Sequence, residues 1–221
     1  MLSSFLEYFK QHLPNYQVFD EKRYFQKANE TCVFEFKGAN VCLSICEDIW
    51  QPNVMLDAKN NGAQCMLNLN ASPFHIDKSQ HRQALLKERA LQGDMPIVYV
   101  NLVGGQDELV FDGGSMVVDA TGSLMASSEH YRECTDIVTF KFDGSRCIKI
   151  EGQCAREPER LANIYDALVL GVRDYVNKNG FKGVLLGLSG GIDSGLTLAV
   201  AVDALGKERV EAVMKMFAEG N

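Results

Sequence analysis

Cys46 is the residue whose type and position best suit nucleophilic chemistry. It follows an apolar run at residues 41–45 and precedes Glu47, so its sulfur is expected where a strand turns sharply into a helix. A thiol placed there can attack a substrate, while the backbone N–H of Glu47 stabilises the resulting oxyanion. Because an ordinary thiol is mostly protonated at neutral pH, a neighbouring cation or a positioned base is needed, and Lys10 is the candidate cation.

A second segment has the composition of a phosphate-binding loop. Its residues are Ser189, Gly190, Gly191, Ile192, Asp193 and Ser194. The loop follows an apolar run and precedes an apolar helical pattern, so its free backbone N–H groups can bind an anion. The glycines let phosphate oxygens approach, and the serines add donors. Asp193 is predicted to cap the helix or to help hold Mg²⁺. The alternative is a plain glycine-serine turn.

Composition narrows the class of protein. The chain has 221 residues, of which 46% are hydrophobic and 23% charged, a balance typical of a folded domain with a substantial core. This length favours one domain plus part of another. The net charge is −7, from 22 basic and 29 acidic residues, and no basic run occurs. Nucleic-acid and anionic-membrane partners are therefore disfavoured, and small molecules are favoured.

Cysteine and histidine spacing argues against a metal site. Seven cysteines without CxxC pairs indicate reduced thiols, and hence a cytoplasmic protein. Apart from Cys46 they are interpreted as small apolar residues. They are Cys32, Cys42, Cys65, Cys134, Cys147 and Cys154. The histidines lack ligand spacing and are assigned no metal. They are His12, His75, His81 and His130.

The first ten residues lack the pattern of a signal peptide, and neither export nor membrane insertion is predicted.

The elements that must position these residues alternate between strand and helix. The predicted elements are strand 41–46, helix 54–61, strand 65–69, helix 78–91, strand 97–103 and a hairpin of 115–119 with 123–126. The first three form a β-α-β unit. The polar stretch 128–159 is interpreted as a connector with one clear strand, 137–142.

The domain junction is predicted near Ala155, which gives domains of residues 1–155 and 156–221. Beyond it come a helix at 160–177, a strand at 184–188, a helix that ends near Gly206 and a strand at 210–216. Because the strand at 184–188 is almost wholly apolar, it is expected to be buried on both faces of a parallel sheet.

Several segments resemble one family. Residues 10–16 and 18–25 are similar to the lysine segment of the nitrilase superfamily as it occurs in glutamine-dependent NAD synthetases, and residues 46–50 resemble the nucleophile segment. Residues 68–74, 101–105 and 108–113 match the same family. The loop 189–194 resembles the SGGxDS signature of N-type ATP pyrophosphatases, which adenylate their substrates.

The resemblance implies a fold class and a reaction. The fold is α/β: a nitrilase-like αββα sandwich, N-terminally incomplete, followed by the start of a parallel-sheet adenine-nucleotide-binding domain. In the family, glutamine is hydrolysed at the cysteine and the ammonia passes to the second domain. There ATP, with Mg²⁺, adenylates deamido-NAD, and ammonia displaces AMP to give NAD. The complete protein is expected to be a cytoplasmic homo-oligomer.

The resemblance also assigns residues. It makes Cys46 the nucleophile, gives oxyanion stabilisation to Lys10, and has Glu21 orient that lysine and relay protons. The residues that would bind glutamine are Tyr16, Ser72 and Lys78, whose hydroxyl and ammonium groups suit a carboxylate, and Glu47, whose backbone N–H faces the reacting atom.

Two features of the sequence depart from the family pattern. The triad glutamate of the family lies well upstream of the lysine, in a part that this sequence lacks, and Glu7 is not assumed to replace it. After Met214 the family continues into further nucleotide-contacting residues, which are also lacking. The alternatives are therefore another amidotransferase of the same two-domain type, or an inactive fragment of the synthetase.

Overall fold

The computed structural model describes residues 6–16 and 18–214. The helices are α1 (Glu21–Tyr24), α2 (Pro52–Asn60), α3 (Lys78–Gly93), α4 (Arg160–Lys178) and α5 (Ile192–Leu205). The strands are β1 (Cys32–Phe36), β2 (Ala39–Ile45), β3 (Cys65–Asn70), β4 (Ile97–Asn101), β5 (Val103–Gln106), β6 (Leu109–Asp112), β7 (Met116–Val118), β8 (Leu124–Ser127), β9 (Thr139–Phe142), β10 (Cys147–Glu151), β11 (Val184–Leu188) and β12 (Val210–Met214). Two 3₁₀ helices, Cys46–Trp50 and Lys207–Arg209, connect them.

A six-stranded sheet organises the first part of the chain. Its strand order is β1-β2-β3-β4-β7-β8, with β2, β3 and β4 parallel and the outer pairs antiparallel. The predicted β-α-β unit is confirmed, since β2 and β3 are parallel neighbours joined through α2. The parallel strands end at one edge of the sheet, which brings the segments after β2 and β3 close together.

Helices α2 and α3 cover one face of this sheet. Apolar side chains from the helices and strands form its core there, including Met55, Met66, Leu86 and Ile97, each at most 1% exposed. On the opposite face the β9–β10 hairpin packs near β7 and β8. Leu69 and Val100 on that face are 53% and 47% exposed. The sheet with α2 and α3 thus forms two of the four layers of the expected sandwich.

Two expectations about individual strands were wrong. The stretch 128–159 contains a second strand, β10, which pairs with β9 in an antiparallel hairpin. It was missed because Cys147–Glu151 is short and alternates apolar with charged residues. Strand β11 is not buried on both faces, because Leu185 is 68% exposed. Its side chains alternate between partial burial and exposure, so one face packs and the other is open.

Helix α4, β11, α5 and β12 form a second parallel unit. The predicted helix 160–177 and the strand 184–188 agree with α4 and β11, and β12 pairs with β11 in parallel. The predicted last strand extends to Met216, which lies outside the described residues. Helix α4 also joins the two parts of the chain, because Asp174 Oδ2 accepts from Gly105 N–H at 2.8 Å and Lys178 Nζ donates to Gly105 O at 2.6 Å.

A close backbone contact at Gly183 yields a stability prediction. A Cβ at this position would clash with Arg209 O, a backbone atom that cannot rotate away. Gly183→Ala is therefore expected to lower the free energy of unfolding by about 1–3 kcal/mol. The matched control is Gly187→Ala in β11, where a Cβ meets nothing within 4 Å. Urea unfolding followed by circular dichroism compares them, and equal stability of the two variants would contradict the contact.

Candidate active site

Cys46 lies at the sharp turn that ends β2. Its backbone has φ of +46°, in the left-handed region that non-glycine residues seldom occupy. The 3₁₀ helix Cys46–Trp50 begins at this residue. A strained backbone at this point turns the side chain away from the line of the strand, as is common at functional sites. The strand prediction for residues 41–46 was therefore correct except at its last residue.

Burial and the neighbouring groups shift the pKa of the Cys46 thiol in opposite directions. Burial raises its pKa, while the charge of Lys10 and the backbone N–H of Ala71 lower it; the net direction is upward. Glu47 and Glu21 add smaller upward contributions. A buried thiol with a raised pKa is mostly protonated at neutral pH, so its reactivity depends on how closely the lysine is held.

Lys10 forms a tight ion pair with Glu21. Its Nζ lies 2.7 Å from Oε1 and 2.6 Å from Oε2 of the carboxylate. The side chains are 13% and 25% exposed, so the pair is only partly screened by water. Two backbone bonds fix the surrounding loop: Ala28 N–H donates to Lys10 O, and Glu21 N–H donates to Pro14 O. The structure thus brings together the three residues predicted as catalytic.

Three of the predicted substrate-binding residues surround the same turn. Tyr16 Oη donates to Glu47 Oε2 at 2.8 Å, and Lys78 Nζ lies 4.4 Å above the ring centre of Trp50. Burial lowers the pKa of Lys78, with a further lowering from Arg82, while the carboxylate of Glu47 opposes both. A cleft of about 540 Å³ lies beside Tyr16 and Glu47. Its lining includes neither Cys46 nor Lys10, so the cleft adjoins the turn without enclosing the thiol.

Ser72, the fourth predicted binding residue, is held in the wall of the site. It is 5% exposed, and its N–H donates to Asn101 Oδ1 at 2.9 Å. Its hydroxyl accepts from Arg82 Nε at 3.3 Å and Nη2 at 3.2 Å, and its carbonyl accepts from Nη2 at 2.8 Å. Arg82 therefore fixes the loop that also carries the Ala71 N–H.

The sequence interpretation missed the buried ion cluster behind this loop. Arg82 Nη1 contacts both oxygens of Asp112 at 2.9 Å, and both side chains are 1% exposed. His130 Nδ1 lies 3.6 Å from Asp112 Oδ2, and His130 Nε2 lies 3.4 Å from Glu157. Burial alone would raise the pKa of Asp112, but His130 and Arg82 outweigh it and hold that pKa below its usual range. Helical spacing could have indicated this cluster, because Arg82 lies on the same face of α3 as the buried apolar residues of that helix.

The loop 189–194 has the geometry predicted for a phosphate site. Residues 189–191 connect β11 to α5, and residues 192–194 begin that helix. Gly190 has φ of +83°, which favours glycine, and the helix has no side-chain cap at Gly191. Ser194 Oγ donates to Gly191 O at 3.0 Å and lies 3.2 Å from Ser189 Oγ. The residues fit a Mg²⁺-nucleotide, because uncapped N–H groups and hydroxyls converge while the carboxylate of Asp193 is exposed in the first helical turn.

Residues 6–16 and 18–214 contain neither a cluster of metal-ligating side chains nor a membrane-spanning helix. No group of three or more His, Cys, Asp or Glu side chains there is arranged to hold a metal ion. In the same part of the chain, none of the helices has the length and apolar character needed to cross a membrane. All seven cysteines are free, and Cys134 and Cys154 are exposed rather than packed as apolar residues.

Two family models match the chain in succession. The carbon-nitrogen hydrolase model matches residues 6–149, and the NAD synthase model matches residues 164–218. Among curated relatives, the glutamine-dependent NAD(+) synthetase of Acinetobacter baylyi is 44% identical over 95% of this chain and 38% of its own length. That of Aquifex aeolicus is 42% identical over 93% of this chain and 42% of its own. The chain thus spans about two fifths of these relatives.

Solved structures agree with both matches. The glutamine-dependent NAD+ synthetase from Acinetobacter baumannii, in complex with ADP, superposes with a TM-score of 0.87 at 48% identity, over 93% of this chain and 39% of that one. A mutant amidase of the nitrilase superfamily from Nesterenkonia gives 0.50 at 28% identity, over 55% and 45%. The predicted fold class, a nitrilase-like domain followed by the start of a synthase domain, is confirmed.

Proposed function

The chain belongs to the carbon-nitrogen hydrolase family, and from that premise we propose that it takes part in glutamine-dependent NAD synthesis, with glutamine hydrolysed at Cys46. The observation that carries the proposal is the charge of Lys10, paired with Glu21, acting on a thiol at a strained turn. A buried thiol with one positioned cation is the arrangement that an amide-cleaving nucleophile requires.

The chemistry at Cys46 proceeds in two steps. The thiolate attacks the side-chain amide carbon of glutamine, and the Glu47 N–H with the Lys10 ammonium stabilises the oxyanion. Ammonia leaves with a proton relayed through the Lys10–Glu21 pair, and water then hydrolyses the thioester to glutamate. Lys78 binds the α-carboxylate of glutamine together with the Tyr16 hydroxyl, which turns away from Glu47 to donate to it, and Glu47 accepts from the α-amino group. Ser72, which is 5% exposed, belongs to the same proposed set of binding residues.

The loop 189–194 serves the second half of the reaction. Its backbone N–H groups, with Ser189 and Ser194, bind the phosphates of ATP. Mg²⁺ neutralises phosphate charge when it is bound, and Asp193 would help hold it. ATP adenylates the carboxylate of deamido-NAD with release of pyrophosphate, and ammonia displaces AMP. The ADP complex of the Acinetobacter baumannii relative supports a nucleotide site. Free cysteines fit a cytoplasmic location.

Product analysis tests this proposal. The chain is incubated with glutamine, Mg²⁺-ATP and deamido-NAD, and glutamate, AMP and NAD are measured together. Formation of all three supports the proposal. Glutamate without NAD would favour a different amidotransferase, and absence of all three would favour an inactive fragment. Ammonium chloride in place of glutamine separates the two halves of the reaction, because NAD formation from ammonia does not need Cys46.

The conformation of Gly190 provides a test of nucleotide binding by the loop. Because its φ is +83°, Gly190→Ala forces a side chain into the left-handed region. The strain is about 1–2 kcal/mol, so ATP is expected to bind about fivefold to thirtyfold more weakly. Gly187→Ala, in the preceding strand, is the control and should retain the affinity of the parent chain. Calorimetric titration with Mg²⁺-ATP measures both, and equal affinities would contradict binding at this loop.

A further inference from the structure

Asp48 is a buried carboxylate two residues after Cys46. Its exposed fraction is 0%, and its oxygens accept from donors on two separate segments. Oδ1 accepts from the backbone N–H groups of Gln11 at 3.1 Å and His12 at 2.8 Å. Oδ2 accepts from Tyr8 Oη at 2.7 Å and from the Ile45 N–H at 3.0 Å. Such charge-assisted bonds are stronger than neutral ones.

The donors to Asp48 flank both reactive residues. Tyr8 lies before Lys10 in the chain, Gln11 and His12 follow it, and Ile45 immediately precedes Cys46. Residues 6–16 form no helix or strand, so tertiary contacts fix their position. Burial and the neighbouring carboxylate of Asp48 raise the pKa of Tyr8, so its hydroxyl stays protonated and continues to donate. One carboxylate therefore joins the lysine segment to the nucleophile turn.

We propose that Asp48 is a positioning residue that holds Lys10 against the Cys46 thiol by binding both backbone segments at once. The inference deepens the proposed function and rests on its assignment of Cys46 as the nucleophile. The Asp48 side chain bonds to these four donors and not to the reacting sulfur. Its effect on chemistry passes through the position of the Lys10 ammonium.

The direction in which Asp48→Asn shifts the pKa of Cys46 separates this role from others. Asparagine offers one oxygen, so its NH₂ group must face either the Ile45 N–H or the N–H groups of Gln11 and His12, and at least one donor loses its partner. If Lys10 then moves away, the pKa of Cys46 rises. Loss of a nearby negative charge would instead lower that pKa, and so would opening of the site, because burial is what raises it.

The experiment measures alkylation of Cys46 by iodoacetamide as a function of pH, with peptide mass spectrometry to follow this one thiol. The other charged groups near the thiol, Glu21, Glu47 and Lys78, are unchanged. We expect Asp48→Asn to shift the alkylation midpoint upward by about one pH unit. The rate at pH 8 should fall about threefold, because the tenfold loss of thiolate is partly offset by the greater nucleophilicity of a more basic thiolate.

A double variant tests whether the effect passes through Lys10. In a Lys10→Met background, Asp48→Asn should add no further upward shift, since there is no ammonium left to position. The matched control is Asp119→Asn, which removes a carboxylate that accepts three bonds within the β7–β8 turn, from the Thr121 N–H and hydroxyl and the Ser123 N–H. It should leave the Cys46 midpoint unchanged.

Three results would overturn the proposal: a downward shift, an unchanged midpoint, or an upward shift of full size in the Lys10→Met background. If Asp48→Asn unfolds the chain, which alkylation of the buried Cys42 and Cys65 would reveal, Tyr8→Phe decides. That variant keeps the carboxylate and removes one hydrogen bond, so a smaller upward shift of the midpoint is expected. An unchanged midpoint would overturn the proposal. The alkylation experiment uses no glutamine. Its result can therefore be interpreted even if the chain does not hydrolyse glutamine.

Discussion

Replacing Arg82 with methionine is expected to lower the free energy of unfolding by about 3–5 kcal/mol. The guanidinium contacts both oxygens of Asp112 and also donates to the hydroxyl and carbonyl of Ser72. Methionine preserves much of the side-chain volume but leaves a carboxylate that is 1% exposed without its main counter-ion. Loss of one partner from a buried pair is costly because the other charge remains desolvated.

The loss of stability in Arg82→Met should depend on pH. In the parent chain the pKa of Asp112 is held low, so the ion cluster contributes stability above the usual carboxyl range, and this is lost as the pH falls through the lowered pKa. Without Arg82 the pKa of Asp112 rises, because burial is then opposed mainly by His130, and a proton can replace the guanidinium. The difference between variant and parent should therefore be largest near pH 8 and should shrink in acid.

Urea unfolding followed by the fluorescence of Trp50 measures this difference at each pH. Arg132→Met is the matched control, because its pair with Glu129 is exposed, at 74% and 58% for the two side chains. An exposed pair contributes about 0–1 kcal/mol, so the control should change little. Equal losses in the two variants, or a loss in Arg82→Met that grows in acid, would show that Arg82 does not neutralise Asp112.

Lys10→Met is expected to lower the rate of glutamine hydrolysis by about 10²–10³-fold, the usual cost of removing one donor to an oxyanion. The substitution removes the charge that opposes burial at the Cys46 thiol, so the thiolate fraction also falls. It leaves the Glu21 carboxylate, 25% exposed, without its partner at 2.6 Å. Both effects act on the chemical step rather than on binding of the α-groups.

Kinetics with glutamine test the role of Lys10. The turnover rate should fall with little change in the Michaelis constant, because Tyr16 and Lys78 are untouched. The control is Lys59→Met, at an exposed lysine in the last turn of α2. It should retain the parent rate. A decrease of less than about threefold in Lys10→Met, against the expectation for an oxyanion donor, would remove Lys10 from the mechanism.

Regular elements could be predicted because local periodicity encodes them. Apolar runs gave β2 and β3, and helical spacing gave α3 and α4 close to their observed bounds. Strand β10 was missed because its five residues alternate apolar and charged side chains on a small hairpin. The burial of β11 was overestimated because an apolar sequence does not reveal whether both faces of its sheet are covered.

Only part of the candidate site could be predicted from the sequence. The resemblance identified Cys46, Lys10 and Glu21, and the structure brings them together. The carboxylates of Asp48 and Asp112 were not identified, because their partners are backbone N–H groups or side chains many residues away. Single charged residues in a sequence usually mark exposed positions, so burial of such a group becomes visible only once the chain is folded.

Labelling by a glutamine-mimicking electrophile, such as a diazoketone analogue of glutamine, tests directly whether Cys46 is the nucleophile. After brief treatment, peptide mass spectrometry locates the modified thiols among the seven cysteines. We expect modification at Cys46, slowed by added glutamine and abolished by Cys46→Ala. Cys134 and Cys154 are the exposed thiols and would be modified first if access alone mattered. Labelling of those two, or of all seven equally, with no protection by glutamine, would contradict Cys46 as the glutamine nucleophile.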